Sequence, residues 1–403
     1  MIFHSEPINH TKIGFSPMRL RKLHLKNRFI KSATYEGMYH SGIPTDQLTD
    51  FHTRIARGGI SMTTVAYGAV NDIGRTHSDQ MYLHDMVLPS LKKLTSSVHQ
   101  YHCAASIQLT HCGFFSKNNQ IKGRKPLAPS RKLNLYGIME GLFFSKSMND
   151  KEIIQTAEDF ARAAQLSKAA GFDAVEIHMG HGYLISQFLS PRINTRSDKY
   201  GGSLKNRLRF PILVLDKVRD AVGQDFPIIC KVNLDDGFYG GLQINESTEV
   251  ARTLENTGAD ALVLSGGYTS KTPFYMMRGK IPLYQMIKAE KKLMHKIALA
   301  VFGKLIIKKY HFEENFFLPL ARKIRQVVNL PIAYLGGVLS AEGVNQILNE
   351  GFDMIAIGRA LIHDPDFIKK IQINRNHISE CNHCNQCVAE MDNSGVRCVI
   401  IEQ

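Results

Sequence analysis

The sequence predicts an α/β protein built as a (β/α)8 TIM barrel, in which eight parallel strands alternate with covering helices. The first observation is a repeat. A helical stretch ends in Gly, an Asp follows two residues later and a short apolar run comes next, at Gly171, Gly258 and Gly351. Gly favours the left-handed position just past a helix, so each unit predicts helix, tight turn and buried strand. The second observation is a helix–Pro–strand unit, at Pro227 and Pro331, which alternates with the first type and is typical of a parallel sheet buried on both faces.

Eight apolar segments of strand length support a closed barrel. They lie at 29–34, 60–68, 106–111, 174–178, 228–233, 261–265, 331–336 and 354–359. Eight strands with intervening helices favour a barrel over the alternative, an open doubly wound sheet with a second lobe. The open sheet is disfavoured further because no GxGxxG motif follows an early strand.

Two connections, 178–206 and 267–318, follow the fourth and sixth strands and are too long to be simple turns. Loops after barrel strands lie at the C-terminal face, where function is normally found. We expect a barrel domain over 1–375, with 267–318 as a small helical subdomain over the barrel mouth, and a Cys-rich tail over 376–403. The basic and apolar stretch 285–309 suits either a membrane surface or a helix with a solvated basic face, and we favour the second.

The composition, 44% hydrophobic and 21% charged over 403 residues, is that of an ordinary globular protein. No run of about eighteen or more apolar residues occurs, so we expect no membrane-spanning helix. The N-terminus lacks the pattern of a signal peptide, and we therefore expect a cytoplasmic protein without a membrane partner. The net charge of +14 suits phosphate-bearing ligands. Its basic residues form no nucleic-acid motif, so we expect a small-molecule substrate and no nucleic acid, and the sequence is compatible with a homo-oligomer.

The strongest candidate for chemistry is the segment EIHMGHGYLISQFLSPRINTRSDKYGGSLKNRLRF, residues 176–210. It places His178 at a strand end, His181 three residues later and Tyr183 after a Gly. Two neighbouring imidazoles can donate hydrogen bonds to one developing oxyanion, and a nearby phenol can deliver a proton. Paired histidines also suit zinc, but no Asp, Glu or Cys nearby completes a convincing ligand set.

This segment resembles the signature of the Old Yellow Enzyme family, most closely its bacterial NADH:flavin oxidoreductase and FMN-dependent ene-reductase branch. The resemblance extends from about Leu25 to Pro365. It implies FMN as the cofactor, NADH or NADPH as the hydride donor, and ping-pong reduction of activated C=C bonds, with nitro compounds and quinones as further acceptors. By the same resemblance His178 and His181 would bind the substrate oxygen, and Tyr183 would protonate the neighbouring carbon.

The resemblance also assigns the flavin site. Gln108, in IQLTHCG, would bond the pyrimidine edge of the flavin, because its amide both donates and accepts. Thr34 would touch flavin O4, Ala66 would let the ring approach, and Lys231 would stand beside N1 as a cation. The last two predicted strands end in YLGGVLS and AIGRALIHDPDF. Their residues at the usual phosphate site of this barrel would hold the FMN phosphate: Gly336, Gly337, Gly358 and Arg359.

The tail contains Cys381, Cys384, Cys387 and Cys398 in a C-x2-C-x2-C-x10-C pattern. Four thiolates can hold a [4Fe–4S] cluster or zinc, but we favour packed free thiols and no metal site. A metallated tail would indicate an iron–sulfur dienoyl-reductase-like flavoenzyme. A rival of another class is a catalytically silent flavin-binding barrel that acts as a sensor or carrier. The pairing of two histidines with a proton donor argues against a catalytically silent protein.

Overall fold

The computed structural model describes residues 13–121 and 123–401, and it confirms the closed barrel of eight parallel strands. Each strand pairs with the next one along the chain, and the last pairs with the first. Residues 1–12, 122, 402 and 403, which the predicted domain ranges include, lie outside the described part of the chain. The strands are Phe29–Lys31 (β1), Met62–Ala69 (β2), Ala104–Thr110 (β3), Ala174–Met179 (β4), Ile228–Asn233 (β5), Ala261–Ser265 (β6), Ile332–Tyr334 (β7) and Met354–Ile357 (β8).

Helices between the strands cover the outside of the barrel. The longest begins at a capping box: the Asn149 side chain accepts from the Glu152 amide at 2.9 Å, and the Glu152 carboxylate accepts from the Asn149 amide at 3.0 Å. This arrangement pairs two backbone groups that a helix start otherwise leaves open. The covering helices are Asp46–Arg57 (α1), Leu88–His99 (α2), Asp150–Ala169 (α3), Arg209–Val222 (α4), Ile244–Thr257 (α5), Leu318–Arg325 (α6), Ala341–Asn349 (α7) and Phe367–Ile373 (α8).

Further short elements lie outside this alternation. Three pairs of short strands are Met18–Leu20 with Leu23–Leu25, Tyr39–His40 with Ile43–Pro44, and Leu127–Ala128 with Lys146–Ser147. Additional helices, including short 3₁₀ turns, are Asp85–Val87, Gly113–Phe115, Asn119–Ile121, Ile138–Glu140, Leu184–Leu189, Leu204–Arg207, Leu283–Ala289, Leu293–Ile306, Arg359–His363 and Gln386–Glu390. Among the helices described, none has both the length and the apolar content needed to cross a bilayer.

The N-terminal end of the barrel is closed by the first hairpin. Leu20 and Leu25 from this hairpin pack against inward-facing residues at the strand starts, including Ile30, Met62 and Ile229. All five side chains are at most 2% exposed. The barrel floor is therefore a packed core, and the open end of the barrel lies at the opposite, C-terminal face.

The three Asp residues of the sequence repeat have one shared structural role. Asp173, Asp260 and Asp353 precede β4, β6 and β8, and each accepts a backbone N–H at the start of the preceding strand, at 2.8, 2.7 and 3.0 Å. Each also pairs with a basic side chain from the helix before that strand: His99, Arg219 and Arg325, respectively. The repeat thus clamps a helix and two neighbouring strands together at the barrel floor, and we call these contacts the aspartate clamps.

The clamp at Asp260 is the most buried and gives a stability prediction. Its carboxylate, 3% exposed, also pairs with Arg21 of the floor hairpin. In Asp260→Asn the Arg219 guanidinium loses its buried counter-charge, so we expect a loss of about 3–5 kcal/mol in the free energy of unfolding. Urea denaturation measures this loss. Asp225→Asn, at the exposed pair with Lys22, is the matched control and should cost less than about 1 kcal/mol. Equal losses in the two variants would contradict the clamp.

Candidate active site

A cavity of about 270 Å³ opens at the C-terminal ends of the strands. Its walls combine strand ends with residues of the 267–318 connection and of the Cys-rich tail. Most of the residues predicted from the sequence meet here. The predicted residues that line the cavity are Thr34, Gln108, His178, His181, Tyr183, Gly336, Gly337, Gly358 and Arg359.

Two predicted residues, Ala66 and Lys231, do not line this cavity. Ala66 is buried in β2, and its amide donates to the Glu36 carboxylate at 3.0 Å. Lys231 is buried in β5, where its ammonium lies 2.9 Å from the Glu176 carboxylate and 3.3 Å from the Ser32 hydroxyl. The Lys231 ammonium is therefore paired with Glu176 behind the cavity wall, and it acts on the cavity through its charge.

Glu176 also fixes the side chain of Gln108. The amide nitrogen of Gln108 donates to the Glu176 carboxylate at 2.6 Å, and the two residues face each other in the β3–β4 pairing. With its nitrogen committed, the Gln108 amide has a defined orientation at the cavity wall. The amide of a positioned glutamine matches the C=O and N–H groups of a pyrimidine edge.

His178 is the second-last residue of β4, pairs with Lys231 of β5 and is 2% exposed. Its Nδ1 has no hydrogen-bond partner among the described residues. Burial, assisted by His181 and Lys231, holds the pKa of His178 well below its ordinary value. The ring is therefore neutral near pH 7, with one nitrogen left for a ligand.

His181 is held by a strained turn. Its backbone lies in the left-handed region with φ of +56°, while its amide donates to Asn233 Oδ1 at 3.0 Å and its Nε2 lies 2.7 Å from the Ser265 hydroxyl. The next residue, Gly182, has φ of +79°, and a Cβ there would lie 2.4 Å from the Tyr268 ring. Only Gly fits at this position. The turn brings the His181 ring to 4.9 Å from that of His178, between centroids.

Tyr183 follows the turn and completes the group. Its ring centroid lies 4.5 Å from that of His178 and 5.4 Å from that of Tyr67. Burial, with Tyr67 close by, raises the pKa of Tyr183 well above its ordinary value. The phenol is therefore protonated near pH 7 and can donate a proton.

The opposite side of the cavity is formed by the ends of β7 and β8. Gly337 has φ of +86°, and a Cβ on Gly358 would meet only the Thr34 hydroxyl, at 3.7 Å. Both residues line the cavity, and the backbone of Gly358 leaves room for a ligand phosphate. The Arg359 guanidinium donates to the carbonyls of Arg278 and Met277 and to the Asn385 side chain. These residues fit FMN: Gln108 would face the pyrimidine edge, and the strand-end glycines would face the phosphate.

Several lining residues were missed by the sequence reasoning. Tyr67 directly follows the predicted Ala66 in β2. Extending the predicted site by one residue along this strand would have included it. Tyr35 follows Thr34 and is hydrogen-bonded to His77 at 2.7 Å. No spacing signal indicates the lining residues from the 267–318 connection and the tail, which are Thr269, Met276, Met277, Phe312, His383, Cys387, Val388 and Met391.

All four cysteines of the tail line a second, small cavity of about 20 Å³, together with Arg359 and His363. The cysteines are free thiols, and His363 Nδ1 lies 3.2 Å from Cys398 Sγ. Within residues 13–121 and 123–401, no group of three or more His, Cys, Asp and Glu side chains is arranged around a single metal-ion position. The tail therefore gathers its thiols next to the wall of the main cavity. These thiols are Cys381, Cys384, Cys387 and Cys398.

Known flavin oxidoreductases resemble this chain in sequence. The model of the NADH:flavin oxidoreductase / NADH oxidase family matches residues 14–269. The chain is 39% identical to 4,4'-dithiodibutanoate disulfide reductase of Rhodococcus erythropolis over 96% of this chain and 94% of that protein. It is 29% identical to an NADH oxidase of Thermoanaerobacter brockii over 96% of this chain and 55% of that protein. The chain thus spans about half the length of some curated relatives.

Solved structures show the same architecture. An old yellow enzyme homologue from Zymomonas mobilis superposes with a TM-score of 0.70 at 20% identity, over 91% of this chain and 94% of that one. This likeness supports the fold. Together with the family match, it confirms the resemblance drawn from the sequence motifs.

The neutral state of His181 gives a prediction for stability against pH. Burial, with a smaller contribution from Lys231, lowers the pKa of His181 to about 3, whereas an unfolded histidine titrates near about 6.5. Between these values the unfolded chain binds a proton that the folded chain does not. Folding stability should therefore fall as the pH drops below about 6.5, by about 1.4 kcal/mol per pH unit from this residue.

The His181→Gln substitution should remove this contribution to the pH dependence of the folding stability. Urea unfolding between about pH 4.5 and 6 should show a smaller dependence on pH in the variant, equivalent to about one proton fewer taken up on unfolding. Other buried histidines contribute equally to the slope of unfolding free energy against pH in the wild type and in the variant. An unchanged slope would mean that His181 is protonated in the folded state.

Proposed function

The chain belongs to the NADH:flavin oxidoreductase / NADH oxidase family, and we propose that it reduces electron-poor C=C bonds, such as those of α,β-unsaturated carbonyl compounds. FMN is its cofactor, and NADH or NADPH is the electron donor. When bound, FMN supplies two-electron transfer from donor to acceptor. The protein residues bind and orient the acceptor, exclude water and deliver a proton.

The acceptor oxygen is assigned to the two histidines. His178 has an unpartnered buried Nδ1, and its ring lies 4.9 Å from that of His181 between centroids. Both rings are neutral, so each can donate one N–H to a carbonyl or nitro oxygen as negative charge develops there. Removal of such a donor commonly costs on the order of 10²-fold or more in rate.

Proton delivery is assigned to Tyr183. Its raised pKa keeps the phenol protonated, and its ring lies against His178. An acceptor held by its oxygen on the histidines therefore presents the neighbouring carbon to this phenol. The observation that carries the proposal is this combination, in one cavity, of an unsatisfied neutral imidazole and a buried neutral phenol.

A Tyr183→Phe variant tests the proton step. The substitution removes the acid but leaves the ring in place, so enone turnover should fall by about 10²–10⁴-fold. Reduction of quinones requires no proton on carbon and should be spared, as should enzyme reduction by NAD(P)H. Stopped-flow measurement of the two half-reactions separates these effects.

The matched control is Tyr35→Phe, which removes a phenol of the same cavity that is hydrogen-bonded to His77. It should leave enone turnover within a few-fold of the wild type. Equal slowing of quinone and enone by Tyr183→Phe, at unchanged flavin content, would exclude Tyr183 as the acid.

Disulfides are a further class of acceptor that the same assay can test. The Rhodococcus relative, 39% identical, is named a disulfide reductase. Reduction of an S–S bond also requires no proton on carbon. Disulfide turnover should therefore follow the quinone pattern in Tyr183→Phe.

A second candidate is an iron–sulfur flavoenzyme of the dienoyl-reductase type. It is favoured by one observation: all four tail thiols line a single cavity beside Arg359. Four cysteine thiolates are the donor set of a [4Fe–4S] cluster, which would supply one-electron transfer. Cys387 lines both this cavity and the main one, so such a cluster would lie next to the flavin site.

Iron analysis separates the two candidates. With packed free thiols we expect far less than one iron or zinc per chain, and near-normal enone turnover in a Cys381→Ser, Cys384→Ser variant. About four irons per chain, lost with activity in that variant, would instead establish the iron–sulfur enzyme. Cys103→Ser, which alters a buried thiol outside the tail, is the control for general thiol loss.

A further inference from the structure

The helix Leu293–Ile306 leaves its apolar side chains in solvent. Among its residues only Gly303 is buried, and Leu305 is 86% exposed. The exposed apolar residues form two adjacent i, i+4 rows on the helix. These are Leu293, Met294, Ile297, Val301, Phe302, Leu305 and Ile306.

A second exposed apolar segment contacts the same connection. Residues 133–144 expose a second apolar group, and the loop is attached to the insertion by two contacts: Glu140 pairs with Lys292, and the Tyr136 hydroxyl donates to the Thr269 carbonyl at 3.1 Å. Its exposed apolar residues are Leu133, Leu135, Tyr136, Met139, Phe143 and Phe144. We call the two sets together the apolar ridge.

The helix packs against its neighbour at Gly303. A Cβ on Gly303 would lie 2.6 Å from Leu283 Cδ1, so this glycine allows the helix to approach Leu283–Ala289 closely. Within residues 13–121 and 123–401, no element covers the seven exposed apolar side chains of the helix. A surface helix normally buries its apolar stripe, and a large exposed apolar patch marks an interaction site.

The charge around the ridge identifies the kind of partner. Residues 283–309 contain seven lysines and one acidic residue, Glu290. Glu290 faces His295 at 3.4 Å, and Arg131 stacks over the Phe144 ring at 4.5 Å. The ridge is thus apolar with a cationic border. Its lysines are Lys288, Lys291, Lys292, Lys296, Lys304, Lys308 and Lys309.

We propose that the apolar ridge docks on an anionic phospholipid bilayer, with its apolar side chains at the acyl boundary and its lysines among the headgroups. A helix of this composition is typical of interfacial binding. A second copy of the chain would bring two sets of lysines face to face, which like-charge repulsion opposes. The helix has 14 residues, about 21 Å at 1.5 Å per residue, too short to cross a bilayer core of about 30 Å.

This proposal goes beyond the expectation of a helix with a solvated basic face on 285–309. The helix forms as expected and most of its lysines are solvated, but its apolar side chains are solvated as well. The connection that carries the helix also supplies Met276, Met277 and Phe312 to the wall of the main cavity. Docking of the ridge therefore places the cavity near the bilayer surface.

Vesicle co-sedimentation of the full flavin-loaded chain tests the proposal. The protein should sediment with phosphatidylcholine vesicles that contain about 30 mol % phosphatidylglycerol, and not with pure phosphatidylcholine. Phe302→Glu combined with Leu305→Glu should weaken binding at least about tenfold, because two carboxylates would enter the apolar stripe. A Lys304→Gln, Lys308→Gln, Lys309→Gln variant should lose affinity specifically for the anionic vesicles.

Ile373→Glu is the matched control, because Ile373 is equally exposed, at 87%, but lies at the end of α8 outside the ridge. It should bind as the wild type does. Thermal unfolding and flavin content verify that each variant is folded. Absence of binding to anionic vesicles, or equal binding by wild type and the Phe302/Leu305 variant, overturns the proposal. A wild-type dimer in analytical ultracentrifugation that this variant dissociates would also overturn it, and would assign the ridge to a second copy.

Discussion

The aspartate clamps at the barrel floor are the constraint on which the rest of the structure depends. Asp173, Asp260 and Asp353 each bond a backbone amide at one strand start and a basic side chain of the helix before it. A closed barrel requires a fixed stagger between neighbouring strands. The clamps join a helix, a strand and the next strand at the N-terminal end of the barrel. They set this stagger without using residues at the C-terminal end. The C-terminal strand ends are therefore left to carry chemistry.

At that free end, burial itself prepares the reactive groups. His178 and His181 lose their tendency to protonate, and Tyr183 keeps its proton, because desolvation disfavours every charged form. The same burial requires that real charges be paired. Lys231 is therefore bonded to Glu176. The site is thus made of neutral donors above a neutralised ion pair, an arrangement suited to charge that develops only during reaction.

Much of the fold and of the candidate site could be predicted from the sequence. In a barrel, the order of the strands along the chain determines where each strand end lies. Each apolar run followed by a functional residue places that residue at the common face, which is why His178 and Gly358 were expected there. Gln108 lies within β3 and was identified through the family resemblance instead. Lateral contacts are different. That the Lys231 ammonium is bonded to Glu176, one strand away, and that Ala66 is bonded to Glu36 depends on side-chain directions between strands. The sequence pattern does not encode these directions, so the resemblance gave both residues a place at the flavin without revealing these partners.

The long insertion was the least predictable part, and its attachment shows why it can carry a separate role. Its two ends are held separately: Arg359 donates to the carbonyls of Met277 and Arg278 near the first end, and Asn315 near the second end donates to the Gly343 carbonyl and the Gln346 side chain. The exposed helix between these ends packs closely against Leu283–Ala289 at Gly303, its one buried residue. The lining residues Met277 and Phe312 lie outside this helix pair, towards the two ends of the connection. A surface that binds a partner and a wall that shapes a cavity can thus coexist in one connection without disturbing each other.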